Sequence, residues 1–435
     1  MTNLEIGFYG IGLMIALLAI RVPIAVSLAA VSIGGIWLMR GERAAFGALG
    51  EVPYDFSASW TLSAVPMFLL MGTFAQNSGM AASIFRAARV LIGFIPGGLA
   101  IATNLAAAGF AAVSGSTLAT TAAIGRLALP EMLKYNYDKA LATSTVAAAG
   151  TLGALIPPSV AFVLYGWYAE QSVAKLLMAG IVPGVITAVI YCSMIYMRVR
   201  RNPMLAPVPG EPFSGGEKLR AIVEIWPFPV IVLFVVAGIY TGTTTPTEAG
   251  AAAAVVTVIV AITRRQMSWE IFVQSLVDAA KTTSMLFFIV IGTVLFTKFL
   301  ALSGVPRFAA GFIKDASYDP LLVILAICLL YIVLGMFLEG IGVMLVSLPI
   351  LLPIATALGY DLIWFGVLVV KFIEIGLLTP PVGLNAFVVK SVVGDQVPLG
   401  TIFRGLVWFL GAEVLIMALI IGFPELTLFL PNLLD

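Results

Sequence analysis

Residues 148–158 read AAGTLGALIPP, and residues 374–385 read EIGLLTPPVGLN. Each is an apolar run that would continue as a helix if it did not meet two consecutive prolines, which have no backbone N–H to donate. An unbroken helix would bond those N–H groups to carbonyls four residues earlier, on Gly153 and Ala154 in the first run and on Gly376 and Leu377 in the second. Carbonyls left without donors are costly in hydrocarbon unless they line a cavity or meet a cation. The same offset of 223 residues places Pro23 on Pro246, Pro130 on Pro353, Tyr137-Asp138 on Tyr360-Asp361 and Gly153 on Gly376. The chain reads as one unit written twice.

Around these runs the sequence is that of a membrane protein. Of 435 residues, 61% are apolar and 10% are Asp, Glu, Lys or Arg, against about half and a quarter in soluble domains. Apolar segments at 6–20, 23–39, 57–77, 90–123, 140–168, 176–197, 226–241, 247–263, 284–302, 321–352, 362–391 and 400–423 supply many crossings at about 20 residues each. An all-α polytopic membrane protein follows. The polar stretch 198–225, with Arg198, Arg200, Arg201, Lys218 and Arg220, is expected to be a cytoplasmic linker between a first repeat (1–197) and a second (226–435). Each repeat is expected to hold a re-entrant hairpin, at about 90–133 and 321–353, and a broken helix, at 140–168 and 362–391. Residues 78–139 carry five Lys/Arg and the matching 303–361 only two, so the repeats are expected to be inverted in the membrane, as in many secondary transporters.

The composition excludes whole classes of chemistry. With no histidine, His-dependent hydrolases and His-ligated metal sites are ruled out. Cys192 and Cys328 are too few for a disulfide framework or thiolate cluster. A net charge of +1 gives no basic field for nucleic acid, and no Gly-x-x-x-x-Gly-Lys-Ser/Thr loop exists to cradle ATP phosphates. The first apolar run lacks the charged leader of a signal peptide and is expected to be a retained membrane helix.

Small polar residues gather in one segment of each half. AVSGSTLATT at 112–121 offers the hydroxyls of Ser114, Ser116, Thr117 and Thr120 around Gly115, which permits a tight reversal. Its counterpart, GMFLEGIGVMLVSLPILLP at 335–353, surrounds Glu339 with Gly335, Gly340 and Gly342; an intramembrane carboxylate is a functional candidate by default. Lys371 and Glu374, three apart on one helical face, are expected to form an internal ion pair. Thr245, Pro246 and Glu248 have the spacing of a capping box with proline at the first helical position. The paired Asp138 and Asp361 admit a remote alternative, an intramembrane aspartyl protease, although they sit in expected hairpin-to-helix turns.

With these segments in view, the chain closely resembles, nearly end to end, the large membrane subunit of tripartite ATP-independent periplasmic (TRAP) transporters. The resemblance is carried by PTEAGAA at 246–252, LPILLP at 348–353, EIGLLTPPVGLN at 374–385 and the SGST tip at 114–117. It implies a transport protein of the bacterial inner membrane rather than an enzyme, with an elevator-type fold in which hairpins and broken helices move against a static scaffold. It also implies Na⁺-driven uptake of an organic acid anion (a C4-dicarboxylate, sialic acid, or other sugar or keto acid) delivered by a periplasmic binding protein, with a small four-helix membrane subunit alongside. By motif, one Na⁺ site would use Ser114, Thr117, Gly153, Ile156 and Pro158, and a second Gly335, Gly376, Thr379 and Val382. Substrate would lie near Ser116, Thr120, Glu339 and Asn385. Many family members carry an acidic residue where this chain has Thr120, a departure that points to a different ligand. A stand-alone Na⁺-coupled carboxylate transporter without a binding protein is the alternative within the same class.

Overall fold

The computed structural model describes residues 1–207, 214–316 and 318–434, and these are helical throughout with no β-strand. The first half opens with α1 (Asn3–Ala19), α2 (Ile24–Arg40), α3 (Glu42–Ser57), α4 (Ala64–Asn77) and α5 (Met80–Ile92). Next come α6 (Gly98–Ser114) and α7 (Thr117–Lys134), which pack together as a hairpin. An interrupted helix follows, made of α8 (Lys139–Gly150), α9 (Leu152–Leu155) and α10 (Val160–Tyr168), and then α11 (Val173–Arg201). The chain bends by 42° where α9 gives way to α10.

The second half follows after the described residues resume at 214. It contains α12 (Gly215–Glu224), α13 (Pro227–Tyr240), α14 (Pro246–Thr263), α15 (Trp269–Ser303) and α16 (Val305–Asp315). A hairpin of α17 (Pro320–Gly335) and α18 (Gly340–Ala357) leads to α19 (Leu362–Leu378), α20 (Leu384–Val393) and α21 (Leu399–Gly422). The bounds run in register: α7 and α18 start and end 223 residues apart, and α19 starts 223 after α8 and ends 223 after α9. Among the described residues, five helices are long and apolar enough to cross a membrane, or up to eight if each bent pair is one span.

Local chemistry explains where the helices begin. Asp138 and Asp361 cap α8 and α19, accepting N–H bonds from Leu141 (2.8 Å) and from Ile363 and Trp364 (2.8 and 2.9 Å). Each carboxylate is thus used in holding a helix end, which removes the support for an aspartyl protease. The capping box at α14 is present: Glu248 Oε2 accepts from the Thr245 N–H at 2.8 Å, and Thr245 Oγ1 accepts from the Glu248 N–H. Thr245→Ala is expected to lower stability by about 1 kcal/mol, read as an earlier thermal transition of the protein in nanodiscs.

Three boundaries differ from the sequence reading. The first hairpin begins at Gly98 rather than 90, because GFIPG at 93–97 turns the chain with Gly97 at φ +73°. The residues before that turn belong to α5, an amphipathic helix that buries Met80, Ile84 and Phe85 and exposes Arg86. Helices α3 and α16 have no continuous apolar run and were not expected; α3 is tied to α15 by a Glu51–Lys298 ion pair at 2.7 Å. The stretch 198–225 is partly helical, since α11 runs on to Arg201 and Ser214 caps α12, while 208–213 lies outside the described residues.

The helices form two mutually packed groups. In one, α4 packs against α14 and α15, and α2 lies along α15. In the other, both hairpins pack on the interrupted helices, α6 and α7 on α8, α17 and α18 on α19. The halves interlock, because α20 packs on α7 and α8, and α21 on α8.

Candidate substrate and ion site

Both interruptions are seated on the tip of the hairpin from their own half. In the first, Ile156 is extended (φ −80°, ψ 123°), and Ser159 then caps α10. Among the described residues no donor reaches the carbonyl oxygens of Gly153 or Ala154. In the second, the Thr379 N–H bonds Gly376 O at 3.0 Å, so the Gly376 carbonyl is not left free as the sequence reading had it. The last turn tightens to a shorter bond, a common way for a helix to satisfy its end, and of the two carbonyls named from sequence the Leu377 one is without a donor among the described residues.

The junctions correspond closely. Val160 N–H reaches Gly115 O at the first tip and Gly383 N–H reaches Met336 O at the second, both at 3.4 Å, and the two donors are 223 residues apart. Gly153 lies so near the first tip that a Cβ there would stand 2.6 Å from Ser116 O and 2.9 Å from Thr120 Oγ1. A Cβ on Gly376 would stand 2.7 Å from Gly335 Cα. These glycines are needed for backbone to meet backbone.

At the tips, Gly115 turns the chain at φ +60° and Ser116 Oγ accepts the Ala119 N–H to start α7. Glu339 starts α18, its Oε1 accepting from Ile341 N–H (3.2 Å) and its Oε2 from Gly342 N–H (3.0 Å). Between the tips is a cavity of about 190 Å³ lined by Ser116, Thr117, Glu339 and Glu374 with apolar groups of α15, α18 and α19. A second cavity of about 330 Å³, lined by Ser114, Gln76, Asn77, Asp278 and Lys281, adjoins it at Ser116 and Thr282. A much larger groove, about 1280 Å³, runs past Lys298, Arg307 and Lys314 and does not touch the tips.

Of the residues singled out from sequence, Ser114, Ser116, Thr120, Gly153 and Pro158 meet at the first junction; Ser114 Oγ and Thr120 Oγ1 are 2.6 Å apart, and a Cβ on Gly115 would stand 2.6 Å from Pro158 O. Ile156 turns its side chain toward Gly184 of α11, leaving its backbone at the junction. Gly335 and Gly376 meet at the second junction, Thr379 Oγ1 donates to Ile375 O at 2.7 Å, and Val382 precedes the bridging Gly383. Ser116 and Glu339 line the cavity. Thr120 and Asn385 are fully buried behind it, Asn385 Nδ2 donating to Ala147 O at 3.1 Å.

Lys371 and Glu374 do not pair. Lys371 Nζ bonds Glu413 Oε1 of α21 at 2.7 Å, and that same oxygen accepts from the Tyr191 hydroxyl of α11. Glu374 instead accepts from Thr117 Oγ1 at 2.8 Å and lines the cavity. The spacing of three residues invited the wrong partner; the only signal for the right one is Glu413, a lone carboxylate in the apolar run 399–422.

Helical hairpins seated on interrupted helices, in a bundle long and apolar enough for several crossings, define a polytopic membrane transporter. The fold is similar to that of the Alcanivorax borkumensis YdaH transporter (TM-score 0.63, 13% identity, 89% of this chain and 90% of that one). It is also similar to Neisseria gonorrhoeae MtrF (TM-score 0.59, 14% identity, 88% and 85%). Residues 11–426 match the family described as tripartite ATP-independent periplasmic transporter, DctM component, and the chain belongs to it. It is therefore a TRAP large permease, a multi-pass protein of the inner membrane and not an enzyme. Relatives include the C4-dicarboxylate TRAP transporter large permease DctM of Pseudomonas aeruginosa, 37% identical over 87% of this chain and 88% of that one. The sialic acid permease SiaM of Vibrio cholerae is 31% identical (96% and 97%), and the ectoine/5-hydroxyectoine permease UehC of Ruegeria pomeroyi 32% (97% and 97%).

Proposed function

We propose that this permease couples inward Na⁺ movement to uptake of a small organic acid. In this reading a periplasmic binding protein delivers the acid, a small membrane subunit lies alongside, and the two halves are inverted repeats. The observation that carries it is the pair of tip junctions, where among the described residues carbonyls of Gly153, Ala154 and Leu377 lack donors beside hydroxyls of Ser114, Thr120 and Thr379. Neutral oxygens in that number suit a hard monovalent cation without burying a further anion. One Na⁺ at each junction would fix its hairpin tip on its interrupted helix, completing the cavity wall before the hairpins and interrupted helices move, elevator-fashion, against the remaining helices. The driving free energy is about 2.3 kcal/mol per charge per 100 mV plus the concentration term.

The test is uptake by proteoliposomes holding the permease and its partner subunits. Replacing external Na⁺ by choline is expected to abolish accumulation, and undiminished accumulation in choline would defeat the reading. Reconstituting the permease without the binding protein is expected to give no uptake.

A further inference from the structure

Helices α11 and α21 pack side by side and leave between them an exposed groove of about 490 Å³. Ile190, Met194 and Met197 form one wall and Val407, Gly411 and Leu415 the other, with Ser193 the polar residue of the lining. The groove follows α11 from Ile190 to Met197, about 10 Å of helix. Gly411 gives it depth, since a Cβ there would meet nothing within 4 Å. One end is positive. The Arg198 guanidinium lies 4.5 Å over the ring of Trp408, which lines the groove. Arg201 stands one turn beyond Met197 on α11 and Arg404 one turn before Trp408 on α21, both exposed. Among the described residues none of these three arginines has an ion-pair partner, and Arg198 Nη1 is buried with no acceptor. Asp138, whose field reaches Arg198, is bound to the Leu141 N–H, and the one acidic residue within either helix, Glu413, is buried against Lys371. An anion would give the guanidinium groups the partner they lack, and the apolar groove that leads away from them would shelter a hydrocarbon chain.

We propose that this groove binds an anionic glycerophospholipid, its phosphate at Arg198, Arg201 and Arg404 and one acyl chain between α11 and α21. The positive-inside rule puts the arginine end at the cytoplasmic surface, the side on which basic pockets between membrane helices take anionic headgroups. Trp408 marks the same level, because tryptophan favours the boundary between headgroups and hydrocarbon. A zwitterionic lipid would offer the groove the same chain but bring an ammonium among the guanidinium groups, so the arginines select for net negative charge. The bound lipid would tie α11 to α21 along the lipid-facing side of their contact.

The experiment is native mass spectrometry of the permease with its small subunit, released from nanodiscs of phosphatidylcholine and phosphatidylglycerol in equal parts. Phosphatidylglycerol is expected to stay on the complex under activation that strips phosphatidylcholine. Arg198→Gln with Arg404→Gln is expected to weaken that retention about tenfold or more. Arg265→Gln, just past the end of α14 in the other group of helices, controls for lost surface charge and is expected to leave it unchanged. Gly411→Leu keeps every charge and fills the groove from a position with open space around its Cβ, and it is expected to lose the lipid too. That variant decides the matter even where the double arginine variant assembles poorly. Equal retention of the two lipids by the unaltered complex, or phosphatidylglycerol held as firmly by Gly411→Leu, overturns the inference. Glycerol 3-phosphate, a headgroup without chains, is expected not to displace the lipid; displacement would mark a site for soluble phosphates and overturn the inference as well.

Discussion

Gly376→Ala is expected to cut uptake by one to two orders of magnitude, roughly the loss that an ångström of misplacement causes at a site of fixed geometry. The new methyl carbon would stand 2.7 Å from Gly335 Cα and 3.0 Å from Gly335 C, and both obstacles are backbone, so no side-chain rotation relieves them. The second hairpin tip must lift off α19, which pulls Met336 O away from Gly383 N–H and opens the junction where an ion would sit. Gly153→Ala should act alike at the first junction, where Ser116 O is the obstacle at 2.6 Å. Gly12→Ala and Gly47→Ala, at positions where an added Cβ meets nothing within 4 Å, serve as controls and should transport normally. Full uptake by Gly376→Ala at normal membrane abundance would show that the tip and the interruption need not touch.

Removing one partner of the buried pair should have the largest effect on stability. Lys371 is 0% and Glu413 2% exposed at the side chain, and among the described residues Glu413 Oε2 has no partner, so Lys371→Met would leave a carboxylate sealed in the bundle with the Tyr191 hydroxyl alone of those residues. Breaking such a pair costs about 3–5 kcal/mol. Lys371→Met is expected to unfold at a much lower temperature in nanodiscs, and Lys371→Met with Glu413→Leu to recover most of the loss, since two apolar groups leave no charge stranded. A double variant no better than the single one would mean that the three helices need the charges themselves to find their register.

What the sequence made legible is what backbone chemistry dictates locally. Two prolines without N–H groups end α9 and α19 wherever they fall, and Thr245 with Glu248 starts α14 by spacing alone. Helices α3, α5 and α16 were harder to see because hydropathy runs find spans that are apolar all round, whereas α3 buries Ala45, Val52 and Phe56 along one side, α5 keeps Arg86 exposed, and α16 buries Val305 alone. The Lys371–Glu413 contact joins residues 42 apart and exists only because α21 packs on α19. Nothing in either segment announces it, and the nearer Glu374 offered a plausible local rival. Once Lys371 is assigned elsewhere, Glu374 changes from an ion-pair member to a cavity residue facing Thr117.

The junction formed by Lys371, Glu413 and Tyr191 joins α19, α21 and α11, which also pack on one another. In the proposed motion α19 travels while α11 and α21 stay behind, so this contact has to break before α19 can leave. A latch of that kind sets how fast the carrier turns over, and not only how firmly it folds.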